Sequence, residues 1–242
     1  MLLYFADFLK SGRSWLEFPT ADFNYIDGEL AYLYGIPSEL TGSGTFERIE
    51  YHEDQRAGFF GLAGFLALSS YDRRTSPSRR GHWIASTLLR MEPPPPPANV
   101  PKLAGDVAGD AGDASTLDVR HVLEAHRQNP ACAGCHALFD PYGLALEEYD
   151  AIGLYRSTYD GGATVNTSAT LPPSDLHPQG LTVQGLSGLS TAVAADRTLP
   201  LASRRNCSPM ASAASSRRAT TRTCNESNKS GSPQVKHRAS AA

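Results

Sequence analysis

Residues 129–136 read Asn-Pro-Ala-Cys-Ala-Gly-Cys-His. Within them Cys132, Cys135 and His136 form a C-x-x-C-H pentad, the pattern by which c-type haem is joined to protein. The chemistry asks for these residue types at this spacing. Two thiols form thioethers with the two porphyrin vinyl groups, and the histidine after the second cysteine reaches the iron as an axial ligand. Ala133 and Gly134 are small, and the glycine frees the backbone to turn tightly against a macrocycle. The pentad also has plainer readings: a redox dithiol, half of a zinc site, or a disulfide. A redox dithiol expects a βαβ setting, and no strand is predicted before Cys132. Structural zinc wants four ligands, and no second C-x-x-C or H-x-x-x-H follows.

Working outward, Thr116 is placed to cap a helix from Leu117 to Gln128, which carries Leu117, Val122 and Leu123 and is ended by Asn129-Pro130. Such a helix delivers the chain into the pentad. Downstream, Asp140-Pro141-Tyr142-Gly143 reads as a turn with Pro at its second position, closing the loop beneath a haem. Glu147, Glu148 and Asp150 lack the regular spacing of oxygen ligands for calcium and are expected on a solvated helix face. If haem is present, His136 is the proximal ligand. Met91, His121, His126 and His177 are all candidates for the opposite position, and none is favoured.

The pentad and the run Asp140-Pro-Tyr-Gly-Leu-Ala-Leu-Glu-Glu-Tyr-Asp-Ala-Ile-Gly153 together resemble the cytochrome-like module of the large planctomycete-type cytochrome proteins. The upstream half is similar to the module that precedes it there. It carries Leu16 to Tyr34 with Tyr34-Gly35-Ile36-Pro37, then Arg73-Arg-Thr-Ser-Pro-Ser-Arg-Arg-Gly-His-Trp-Ile84, then the proline run. The resemblance extends from Met1 to around Pro200. It implies a haem c domain within an exported redox protein, and no substrate.

The 242 residues have room for one large or two small domains, and the formal net charge of −3 points to neither nucleic acid nor a membrane surface. Met1-Leu-Leu-Tyr-Phe5 has no basic start, so no secretory signal is read. Because haem c is attached outside the cytoplasm, the chain is expected to be a fragment of a longer exported protein. The apolar stretch Ala57–Leu68 is too short to span a bilayer and is expected in a core.

In the N-terminal part, Met1–Lys10 is a predicted helix with Leu2, Phe5 and Leu9 on one face. Asp22 is the expected cap of a second helix with Phe23, Ile26, Leu30 and Leu33 on its apolar side, stopped by Gly35 and Pro37. A third helix starts at Thr75 or Ser76 before Pro77 and buries Trp83, Ile84, Leu88 and Met91. Arg73, Arg74, Arg79 and Arg80 form a basic knot suited to haem propionates, an anion, or ordinary solvated ion pairs.

Composition then divides the chain into a helical module at 1–91, a Pro-rich and Gly/Asp-rich linker at 92–114, a cytochrome c-like module at 115–199, and a disordered tail at 200–242. The cytochrome-like part is small for a stable core, and a covalent haem is expected to supply the missing apolar mass. From Arg197 onward there are nine Lys or Arg against one acidic residue, Glu226. This change reads either as a disordered basic arm for nucleic acid or membrane or, by preference, as a shifted reading frame. Cys207–Ala214 can be back-translated to yield Phe-Thr-Tyr-Gly-Leu-Gly-Arg one frame away, a peptide that resembles a segment of the same family, and on that reading Cys207 and Cys224 carry no functional meaning.

The expected fold is mainly α. The expected function is electron transfer through a covalent haem c held by Cys132, Cys135 and His136, the last also the iron ligand, with no catalytic residue assigned. The alternatives are a haem oxidoreductase with an open sixth site, or a non-haem structural module with a C-x-x-C disulfide or metal clip. The expected partners are the other domains of the parent protein and redox partners, not nucleic acid, and no membrane-spanning segment is read. The expected location is periplasmic or otherwise extracytoplasmic.

Overall fold

Aromatic residues organise the N-terminal part. Helix α1 (Leu2–Ser11) turns Tyr4 and Phe8 inward, and the expected apolar face of Leu2, Phe5 and Leu9 is exposed instead. Tyr4 packs on Phe8, Phe18 and Phe23, and its hydroxyl donates to the Phe18 carbonyl at 2.7 Å. The stack runs on from Phe18 to Phe59 and from Phe59 to Trp83. Rings of this size contribute much buried apolar area at little cost in side-chain entropy. The computed structural model describes residues 1–37, 44–50, 56–91, 93 and 118–196, all within the unit Met1–Arg205. The second unit, 206–242, lies outside the described residues. So do the proline run from Pro94, the Gly/Asp stretch and Thr116.

Phe23–Ile26 is a strand, β1, rather than the start of a helix. It pairs antiparallel with β2 (Glu47–Glu50), Phe23 opposite Glu50 and Ile26 opposite Glu47. Helix α2 (Gly28–Tyr34) begins only after it, and its cap is Asp27, which accepts from the Leu30 N–H, in place of the expected Asp22. The aromatic and β-branched character of Phe-Asn-Tyr-Ile favours a strand once a partner strand is available. Ala57–Leu68 does enter the core: Phe59, Phe60, Leu62, Phe65 and Leu66 are buried, and α3 (Ala63–Leu68) forms its second half.

Helix α4 (Pro77–Trp83) is capped by Ser76 with Pro77 in its first turn, as expected, and continues as a π-helical segment through Ile84–Leu88. Beyond the undescribed stretch come α5 (Val119–His126), capped by Asp118, and α6 (Pro130–Leu144), capped by Asn129. Asn129-Pro130 therefore ends one helix and starts the next, because Pro fits a first helical turn. A hairpin of β3 (Ser168–Leu171) and β4 (Leu181–Gln184) follows, then α7 (Gly185–Ala195). Helices dominate the described residues, with two small two-stranded sheets beside them. None of those helices is long and apolar enough to cross a membrane.

The segments on either side of 94–117 meet in one core. Helices α4 and α6 cross at near backbone contact. A Cβ added at Gly81 would stand 1.8 Å from the Phe139 carbonyl oxygen, and one at Gly143 would stand 1.9 Å from that of Pro77. Arg80, fully buried, donates to the carbonyls of Leu146, Tyr149 and Asp150 and to Ser70 Oγ. Arg56 donates to the Gly153 carbonyl at 2.7 Å. The apolar mass that the segment after residue 115 lacks on its own thus comes, in this structure, from α4 and its extension.

Candidate haem-attachment helix

The pentad lies in the first two turns of α6, not in a loop. Helical spacing puts Cys132, Cys135, His136 and Phe139 on one face. Cys132 is buried and Cys135 half-buried, and both thiols are free. Ala133 and Gly134 are ordinary helical residues here, so the tight turn expected of Gly134 is not used. Nothing lies within 4 Å of where a Gly134 Cβ would stand.

Asp140-Pro141-Tyr142-Gly143 is also helical and buried. The turn expected from its Pro and Gly does not form, because each residue has a helical use. Pro141 loses one backbone bond but its carbonyl still accepts from the Ala145 N–H. Gly143 lets α4 approach. Asp140, one helical turn beyond His136, is fully buried. The His136 ring nitrogen Nδ1 lies 3.1 and 3.0 Å from its two carboxylate oxygens. A carboxylate can only accept, so Nδ1 carries the hydrogen, and in the neutral ring Nε2 keeps its lone pair. Ser78, on α4, donates to Asp140 Oδ1 at 2.7 Å.

Two rings pack against His136. Its ring centroid is 5.1 Å from that of Phe139 and 4.8 Å from that of His126. Burial, and then the neighbouring His136, hold the His126 imidazole below its ordinary pKa of 6.5, with Asp140 pulling weakly the other way. His126 is thus the one of the four distal-ligand candidates found against His136 among the described residues. Met91 instead accepts a long contact from the Tyr142 hydroxyl, 3.8 Å from its sulfur. His177 lines a small cavity with Leu89, Tyr142 and Asp196. His121 is exposed on α5.

The basic knot and the acidic run have structural duties that the sequence did not disclose. Arg80 is spent on carbonyls inside the core, and burial pushes its pKa down to about 10 despite Glu147 nearby. Arg79 donates to the Ser70 carbonyl, and the Arg74 and Arg79 guanidinium groups both stack on Tyr71. Glu147 is not solvated. It is fully buried and accepts from Thr75 Oγ1 at 2.9 Å, Arg156 Nη2 at 3.0 Å and the Tyr159 hydroxyl at 3.3 Å. Glu148 accepts from the Leu186 N–H at the start of α7, and burial raises its pKa above the ordinary 4.5. Asp150 accepts from the N–H groups of Ile152 and Leu154 in a local turn.

Sequence reading missed Asp140 and Ser78 as neighbours of His136. The His136/Asp140 spacing of four was legible, but only if the segment was taken as a helix. For a covalently held haem, the donor set fits: two free thiols three residues apart, and a histidine whose Nε2 is free for iron. Among the described residues, no group of three or more His, Cys, Asp or Glu side chains is arranged to hold a bare metal ion.

Residues 56–159 match the family model of PSCyt3, described as a protein of unknown function (DUF1588), a planctomycete cytochrome-type domain family. The matched stretch includes α3, α4, α5 and α6 and so contains both sides of the α4–α6 crossing. No curated protein and no solved structure matches the chain.

Proposed function

We propose that this chain is a haem c-binding electron-transfer module of a larger exported redox protein. Thioethers at Cys132 and Cys135 hold the haem, and His136 Nε2 ligates its iron. The observation that carries this reading is the constellation on one face of α6: two free thiols and an imidazole whose Nδ1 is tied to a buried carboxylate. Once bound, the haem supplies a one-electron ferric/ferrous couple.

The residues of the chain do the rest. Cys132 and Cys135 fix the macrocycle covalently, so it is not lost in either oxidation state. His136 is held against rotation by Asp140 and by the rings of Phe139 and His126. The α4–α6 crossing keeps the helix carrying all three attachment residues rigid, which suits a centre that must change charge with little rearrangement. The parent protein's other domains and soluble redox proteins are the expected partners, in the periplasm or another extracytoplasmic compartment.

The test is expression of the chain behind a secretion signal together with a haem-attachment system. A pyridine haemochrome spectrum of thioether-linked haem is expected, and it should be absent from the Cys132→Ala/Cys135→Ala double variant. Rapid reversible one-electron cycling, without turnover of peroxide, separates this function from a haem oxidoreductase. A colourless wild-type product under these conditions would overturn the reading.

A further inference from the structure

The haem reading uses Asp140 only as a tether of the His136 ring, and this carboxylate has no exposed surface. It reaches His136 Nδ1 with both oxygens, at 3.1 and 3.0 Å, and takes the Ser78 hydroxyl at 2.7 Å on Oδ1. Histidines that ligate metals commonly donate their second ring N–H to an outer partner, which fixes the tautomer and raises the basicity of the ligating nitrogen. The partner can be a carbonyl, a water or a carboxylate, and of these only the carboxylate brings a full negative charge. In a buried setting such a bond is electrostatically stronger than in water.

We propose that Asp140 is the positioning residue of His136, and that Ser78 sets its orientation from the other side of the undescribed segment 94–117. Asp140 holds the ring with its hydrogen on Nδ1 and its lone pair on Nε2, and it makes Nε2 a more electron-rich donor. A more electron-rich ligand favours ferric over ferrous iron, so the pair lowers the reduction potential. Ser78 belongs to α4, whose crossing with α6 depends on Gly81 and Gly143. Through it, the N-terminal part of the chain tunes a centre attached wholly in the C-terminal part. This inference rests on the haem reading for its effect on potential, but not for its statement about the ring.

The test uses the full chain carrying Asp140→Asn or Ser78→Ala. Asn keeps the size and one acceptor oxygen but removes the charge, and haem attachment should survive because the thioethers are untouched. At a fixed potential the ferric-to-ferrous ratio of Asp140→Asn should fall at least tenfold, a midpoint rise of 59 mV for a one-electron couple. Ser78→Ala should move it the same way by less. A midpoint unchanged in Asp140→Asn overturns the proposal, as does a downward shift. Should Asp140→Asn fail to fold, the Ser78→Ala midpoint decides, and no shift there overturns it. A second arm needs no haem. Ring 15N spectra of His136 in the haem-free chain should show hydrogen on Nδ1 in the wild type and a shift of population toward Nε2–H in Asp140→Asn. A wild-type ring with its hydrogen on Nε2 overturns the proposal whether or not the chain takes up haem, whereas a chain that takes up no haem but keeps hydrogen on Nδ1 refutes only the haem reading.

Discussion

Adding one methyl group at Gly143 should damage this protein, while adding the same group nine residues earlier at Gly134 should not. At Gly143 the new Cβ would lie 1.9 Å from the carbonyl oxygen of Pro77, and ordinary contact begins only at 3.4 Å. The carbonyl belongs to backbone and a Cβ has no torsion of its own, so neither can rotate away and the helices α4 and α6 must separate. Overpacking of a core costs about 1–3 kcal/mol, and a backbone clash belongs at the upper end, about 3 kcal/mol. For a chain of this size each kcal/mol moves the melting temperature by roughly 2–4 °C, so Gly143→Ala should melt some 6–12 °C lower. Gly134 sits mid-helix with open space around its missing Cβ, and Ala is better than Gly in a helix by about 1 kcal/mol. Gly134→Ala should therefore be neutral or melt slightly higher. Thermal unfolding of both variants by circular dichroism decides. Equal effects, or an unchanged Gly143→Ala, would refute the claim that α4 and α6 meet in backbone contact and that the two halves share a core.

Glu147→Leu should destabilise the chain by about 3–5 kcal/mol, because it leaves the buried Arg80 uncompensated and removes the acceptor for Thr75, Arg156 and Tyr159. A change below 1 kcal/mol in urea titration would show that the carboxylate is solvated after all. His126 gives a pH signature. Its folded pKa lies below the ordinary 6.5, so on acidification the unfolded chain takes up this proton first. Stability should then fall as pH drops through 6.5 and flatten below the folded value. His126→Gln should lessen that slope in denaturant titrations between pH 7 and 5, and an undiminished slope would count against the burial of His126 beside His136.

The parts of the fold that were legible in the sequence are those with local causes. Ser76 before Pro77 marks a helix start whatever surrounds it, and the apolar stretch Ala57–Leu68 must find a core. What was not legible depends on distant partners. Phe23–Ile26 became a strand because Glu47–Glu50 pairs with it, and no local pattern discloses that. Asp140-Pro-Tyr-Gly has the composition of a turn, but the reason it is helical is Pro77 on another helix, which only Gly143 can approach. Arg80 and Glu147 look like surface charges in sequence, yet Arg80 is buried against carbonyls far along the chain and Glu147 against Thr75, Arg156 and Tyr159. At the candidate site, the three residues of the pentad could be read directly. Their supporting residues, Asp140 and Ser78, required α4 and α6 to be placed side by side.

The most direct test of the central claim is peptide mass spectrometry on the exported chain made with a haem-attachment system. Trypsin should release the peptide Gln128–Arg156, which contains Cys132, Cys135 and His136. The account predicts this peptide with one haem added and neither cysteine open to alkylation. The same peptide without haem, with two alkylatable thiols or two hydrogens lighter as a disulfide, would contradict it.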